Sequence, residues 1–142
     1  MRIVLDTSCF ITAIRSVHGA AAEVIRVIAA RRVTILMDYK LSCEYRDVAL
    51  RPSNLLASQI SSQAMQKVIS NLEDVAEAVQ ISVKHRPLSP DPDDDMILDL
   101  EINGHADAII TQNRKHFVQA AEVFGIPVLS PGELLHHLRY QE

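Results

Sequence analysis

Short apolar runs broken by polar turns set the framework of this chain. Ile3-Val4-Leu5 is β-branched, unbroken and closed by Asp6, the pattern of a buried strand over residues 2–6. Val33-Thr34-Ile35-Leu36-Met37 predicts a second strand and Ala108-Ile109-Ile110-Thr111 another, with shorter ones near 79–83 and at 127–129. Between them the apolar spacing lengthens to three and four. One helix starts near Thr7 or Ser8 and fades around Ser16-Val17-His18-Gly19, and a second runs from about Ala20 to Arg31. Residues 39–50 are helical and Pro52 closes them. Ile60, Ala64, Val68, Leu72, Val75 and Val79 give the clearest amphipathic helix, over 58–77. Further helices span 92–104, ending on Asn103-Gly104, then about 115–124, then Pro131 to about Arg139. Strands alternating with helices predict a three-layer α/β/α fold around a mostly parallel central sheet. No repeat or internal boundary divides the chain, so residues 1–142 read as one domain.

Composition adds exclusions. The chain has 4% aromatic residues and no Trp, so its core is expected to be aliphatic. No apolar run approaches the ~20 residues that cross a bilayer. Met1-Arg2 leads directly into the first strand and reads as no signal peptide, which suits the cytoplasm. Cys9 and Cys43 match no metal spacing and read as small buried residues in a reducing compartment. A formal charge of −4 argues against holding nucleic acid by bulk electrostatics, but leaves room for a nuclease whose acids a cation neutralises. Basic residues form three local groups: Arg31-Arg32, Lys84-His85-Arg86 and Arg114-Lys115-His116. The last follows Asn113 directly, so Arg114 and Lys115 are candidates to meet a phosphate backbone.

The acidic positions carry the chemistry. Ligands of open parallel sheets bind outside the carboxyl ends of the strands. Asp6 closes one strand, Asn113 follows another by two residues, and Asp95 opens a helix after Ser89-Pro90-Asp91-Pro92. Carboxylates gathered there repel one another unless a hard cation joins them, so a Mg²⁺ or Mn²⁺ phosphoryl-transfer site is the first hypothesis. Asp91, Asp93 and Asp94 have a structural explanation in the N-cap and capping box of the helix that Pro92 opens. Asp95 and Asp99, at i and i+4, fall on an arc with Leu98, Ile102 and Ala106, whereas Asp94, Glu101 and His105 share a polar face. Two acids among residues expected to be buried need a reason, and a metal supplies one. Asp6 could instead cap the helix that follows it. Glu44 lies at the border of an apolar and a charged arc, able to point into a cleft. Asp107 caps or enters its strand, with no catalytic role. His136-His137 diverge on a helix and cannot share a metal. There is no zinc spacing, GxGxxG, Walker A motif or GxSxG elbow.

With these residues in place, the chain resembles the PIN domain, a family of metal-dependent nucleases. The likeness lies in Ile3-Val4-Leu5-Asp6-Thr7-Ser8, Leu41-Ser42-Cys43-Glu44-Tyr45-Arg46-Asp47-Val48, Asp91-Pro92-Asp93-Asp94-Asp95 through Gly104-His105-Ala106-Asp107, and Ile109-Ile110-Thr111-Gln112-Asn113. It is closest to the bacterial branch of toxin components of toxin–antitoxin pairs, related to VapC-type toxins. The resemblance implies that Asp6, Glu44 and Asp95 hold Mg²⁺ or Mn²⁺, that Asp99 adds a further acid, and that Asn113 stands where many members carry a fourth aspartate. An amide there bears no charge, which weakens a second metal site. The resemblance further implies hydrolysis of RNA to 5′-phosphate products, with Thr111 and Asn113 orienting water or a ligand, a homodimer, and a small antitoxin over the cleft. The alternative is a catalytically impaired member that serves as an RNA- or protein-binding module.

Overall fold

The innermost strand is the first one in the chain. The computed structural model describes residues 1–82 and 92–139, without the side chains of residues 92–94. Five strands form one parallel sheet: β1 (Arg2–Leu5), β2 (Thr34–Met37), β3 (Glu77–Ala78), β4 (Ala108–Ile110) and β5 (Val128–Leu129), in the order β3-β2-β1-β4-β5. Ile3 pairs with Ile35 on one side, and Leu5 with Ile110 on the other. Ile3, Val4 and Leu5 expose nothing, because a parallel strand covered on both faces can be apolar throughout.

Among the described residues eight helices accompany these strands: α1 (Thr7–Arg15), α2 (Ala20–Ala29), α3 (Tyr39–Ala49), α4 (Pro52–Ser58), α5 (Ser62–Val75), α6 (Pro92–Gly104), α7 (Val118–Phe124) and, after β5, α8 (Pro131–Arg139). The chain steps outward from β1 to β2 to β3, then returns through α6 over β2 and β1 to β4. Right-handed crossovers therefore place α6 on the face opposite α1, α2 and α5. The contacts agree: α2 touches α1, α5 and α8, while α6 touches β1, β2 and β4. This is the three-layer α/β/α arrangement that the alternation predicts.

Several boundaries differ from expectation. Pro52 does not merely end a helix; it occupies the first turn of α4, where its missing N–H costs nothing. The amphipathic stretch 58–77 is consequently split, with Gln59 left-handed at φ 61° and Ser61 capping α5 through the Ala64 N–H. The strand expected near 79–83 is only Glu77–Ala78, an exposed edge whose residues carry no apolar signal. Cys9 is buried as expected, but Cys43 is exposed on α3. The three-residue basic group after Asn113 forms a 3₁₀ turn, Arg114–Phe117, ahead of α7. The turn residues 87–91, with the cap reading of Asp91, and Lys84-His85-Arg86 lie outside the described residues, as do the side chains of Asp93 and Asp94.

Gly104 ends α6, yet the left-handed residue is the next one, His105, at φ 52°. The glycine answers a packing need instead. A Cβ there would lie 2.7 Å from Leu36 Cδ1 and 3.1 Å from Val79 Cγ2, so α6 approaches the sheet more closely than any side chain permits.

Candidate active site

Asp6 stands at the N-cap position of α1, but its side chain makes no capping bond. Its Oδ2 accepts instead from Thr111 Oγ1 at 2.7 Å and from Ser8 Oγ at 2.9 Å. The Asp6 N–H donates to the Ile110 carbonyl at 2.9 Å, so β4 holds both its backbone and its carboxylate. Asp38, closing β2 as Asp6 closes β1, is a true cap and accepts from the Leu41 N–H at 2.9 Å. The contrast shows that Asp6 is turned away from capping toward the crevice between β1 and β4. That crevice is where the strand order reverses, the place where open α/β sheets bind ligands.

Glu44 joins this cluster through Thr7, whose Oγ1 donates to Glu44 Oε2 at 2.5 Å. Tyr45, the next residue on α3, lies fully buried beneath it, stacks on Phe10, and donates its hydroxyl to the Leu5 carbonyl. Burial holds the Tyr45 phenol well above its usual range, and the charges of Asp6, Cys9, Glu44 and Asp38 add to the effect. Three carboxylates thus lie within electrostatic reach of one hydroxyl. Burial, with Asp6 beside it, likewise pushes the Cys9 thiol up to about 12, which removes it as a nucleophile.

Asp95 and Asp99 are 4% and 3% exposed on α6, as their arc with Leu98 predicts. Asp99 lines a cleft of about 340 Å³ with Asp38, Tyr39 and Met96. A neighbouring cleft of about 540 Å³ contains Glu44 and shares Tyr39 and Met96, so Asp99 and Glu44 face adjoining spaces. Asp38 went unassigned in the sequence, although it closes its strand as Asp6 does.

Other expected positions fall elsewhere. Asn113 is exposed, and only its backbone N–H reaches the cluster, donating to Thr111 Oγ1 at 2.9 Å. Arg114 and Lys115 are exposed, and Arg114 pairs with Glu133. Asp107 exchanges bonds with the Arg2 backbone at the other end of the sheet, the strand-entry role expected of it.

Glu101 is a correction. The helical wheel puts it on a polar face, but it is only 7% exposed, because α6 crosses the sheet buried on nearly every side. Desolvation raises its carboxyl to about 7. Between about 4.5 and 7 the folded chain keeps a proton that the unfolded chain loses, so stability falls as pH rises through that window. Glu101→Gln should remove this slope and stabilise the protein at pH 8 by roughly 1–3 kcal/mol. Urea unfolding of both proteins at pH 5 and pH 8 checks it; parallel behaviour at the two values would show that Glu101 ionises freely.

The donors Asp6, Glu44, Asp38, Asp95 and Asp99 are all carboxylate oxygens, the chemistry of a hard divalent cation and not of zinc or copper. Among the described residues, no group of three His, Cys, Asp or Glu side chains is placed to hold a metal ion. A hard cation that keeps several waters and takes one or two carboxylates does not require such a group. A family model described as PIN domain matches residues 2–115, covering every one of these acids. This chain belongs to the PIN domain family. No curated protein matches the chain. PIN domains are generally metal-dependent nucleases that bind RNA. In this PIN domain β5 after Phe117 and the last two helices lie beyond the matched residues, and among the described residues no helix is long and apolar enough to cross a membrane.

Proposed function

We propose that this PIN domain is an endoribonuclease that hydrolyses RNA phosphodiester bonds with Mg²⁺ or Mn²⁺, and that it acts as the toxin of a type II toxin–antitoxin pair. The observation that carries the reading is the Asp6 carboxylate, withdrawn from capping and held by Thr111 across the switch point and by Ser8 on its own side. Asp6 and Asp95 would hold the ion, with Glu44 and Asp99 completing its surroundings. Bound there, such an ion activates a water and neutralises charge on the phosphate. The chain's own residues do the rest. Thr111 and Ser8 fix the direction of the Asp6 carboxylate, and Thr7 fixes Glu44. The exposed Asn113, whose N–H holds Thr111 Oγ1, supplies a neutral amide at the rim. Arg114 and Lys115 stand beyond it for the RNA backbone. A homodimer in the cytoplasm and a small antitoxin over the acidic cleft belong to the same reading.

Labelled single-stranded RNA incubated with Mn²⁺, Mg²⁺ or EDTA tests it. Cleavage is expected with either ion and none in EDTA. The exposure of Asn113 favours the rival reading, an impaired PIN domain that binds without cutting. RNA bound by folded protein but left intact in every metal would establish that rival.

Thr111→Val should slow cleavage by about 10–100-fold, the usual cost of removing a group that orients a ligand. The valine keeps the buried volume but deletes the bond to Asp6 and the acceptor of the Asn113 N–H, so the protein should also lose about 1–3 kcal/mol of stability. Single-turnover rates with saturating RNA check it; a wild-type rate would mean that Asp6 needs no help from β4.

A further inference from the structure

Tyr39 is 84% exposed, the most exposed of the large hydrophobic residues described. The chain has three tyrosines and no tryptophan, so an aromatic ring left in water is an unusual use of its few aromatics. Its backbone is fixed. Tyr39 opens α3 directly after Asp38, whose side chain caps the Leu41 N–H at 2.9 Å and whose carbonyl accepts from Ser42 at 3.1 Å. The ring therefore sits exposed on a rigid first turn, its hydroxyl bonded to Cys43 one turn along the helix.

Its position gives the ring a use. Tyr39 and Lys40 line both clefts described above, the one that reaches Asp38 and Asp99 and the one that reaches Glu44. Together they form the ridge between two grooves that lead to acids of the candidate site. Lys40 is exposed beside the ring and, with Arg51 on the second cleft, brings positive charge to an opening that also holds Asp38, Glu44, Asp47 and Asp99. An aromatic face next to a cation is how proteins hold an unpaired nucleotide, the base on the ring and the phosphate on the ammonium.

We infer that Tyr39 is the stacking platform for an unpaired base next to the scissile phosphate, with Lys40 holding the adjoining phosphate. This rests on the ribonuclease reading, because it takes the acids to be the cutting centre. Tyr39 is a positioning residue that binds substrate and takes no part in the bond exchange. The occupant is single-stranded RNA, since a base paired in a duplex cannot leave its stack for the ring without unpairing.

The test uses the full chain, with Tyr39→Ala and Tyr39→Phe, on a short single-stranded RNA and on copies in which one nucleotide at a time lacks its base. Tyr39→Ala should raise KM roughly tenfold and leave kcat unchanged, while Tyr39→Phe, which keeps the ring, behaves as wild type. One abasic position should cost the wild type a similar factor and cost Tyr39→Ala nothing further. Equal KM values for wild type and Tyr39→Ala, or a penalty that is the same at every abasic position, would overturn the platform. Binding by fluorescence anisotropy in EDTA is measured on the same set. Without any cleavage the nuclease reading fails by itself, and the anisotropy still decides whether the ring holds a base. A loss of RNA binding that does not depend on the missing base would assign the ridge to another occupant, such as a protein segment.

Discussion

Asp6→Asn should reduce RNA cleavage by more than about 100-fold while the protein stays folded. Groups that merely orient a metal ligand typically cost 10–100-fold when removed, and Asp6 is proposed to be the ligand itself. The substitution keeps the shape of the side chain, so Thr111 and Ser8 can still bond its remaining oxygen. What it removes is the charge of a side chain that is only 8% exposed. Thermal stability should therefore hold or rise slightly, since one buried carboxylate has gone. Single-turnover cleavage rates beside circular dichroism melts separate the two effects. A variant within tenfold of wild type would take Asp6 out of the centre, and with it the meaning given to its turn away from the cap.

Tyr45→Ala should have the largest effect on stability, about 3–5 kcal/mol, measured as a shift in the urea midpoint. The ring is fully buried and stacked on Phe10 with centroids 4.8 Å apart, so its removal leaves a cavity in the core. Tyr45→Phe keeps the ring and deletes only the bond to the Leu5 carbonyl, which should cost about 1–3 kcal/mol. Since Leu5 precedes Asp6, the Phe variant should also lower activity without unfolding the protein. A Phe variant equal to wild type in both would show that the hydroxyl neither supports the strand nor steadies the site.

The sequence and the structure agree where one physical signal dominates. Ile3-Val4-Leu5 and Ala108-Ile109-Ile110 can only be buried parallel strands, and Asp95 with Asp99 falls on the arc that the wheel marks as interior. Disagreement arises where one residue type serves two purposes. Proline both stops and starts helices, so Pro52 hid α4. Glycine at the end of α6 suggested a left-handed cap, but Gly104 is there for close approach and His105 takes the turn. Glu101 shows the limit of a helical wheel, which assumes that one side of a helix meets water. Asp38 was legible in principle, since it ends β2 as Asp6 ends β1. Asn113 follows its strand at the expected spacing, yet three residues beyond Ile110 it already lies exposed.

The bond between Asp6 and Thr111 spans 105 positions of sequence. During synthesis Thr111 leaves the ribosome 105 residues after Asp6. Until β4 settles against β1, only the nearby Ser8 can bond the carboxylate, and the interior strand lacks one of its two neighbours. Such a long-range pairing forms late, because its loop must close before any contact rewards it. If the domain cuts RNA, its candidate centre stays incomplete until β4 has been made and has settled against β1.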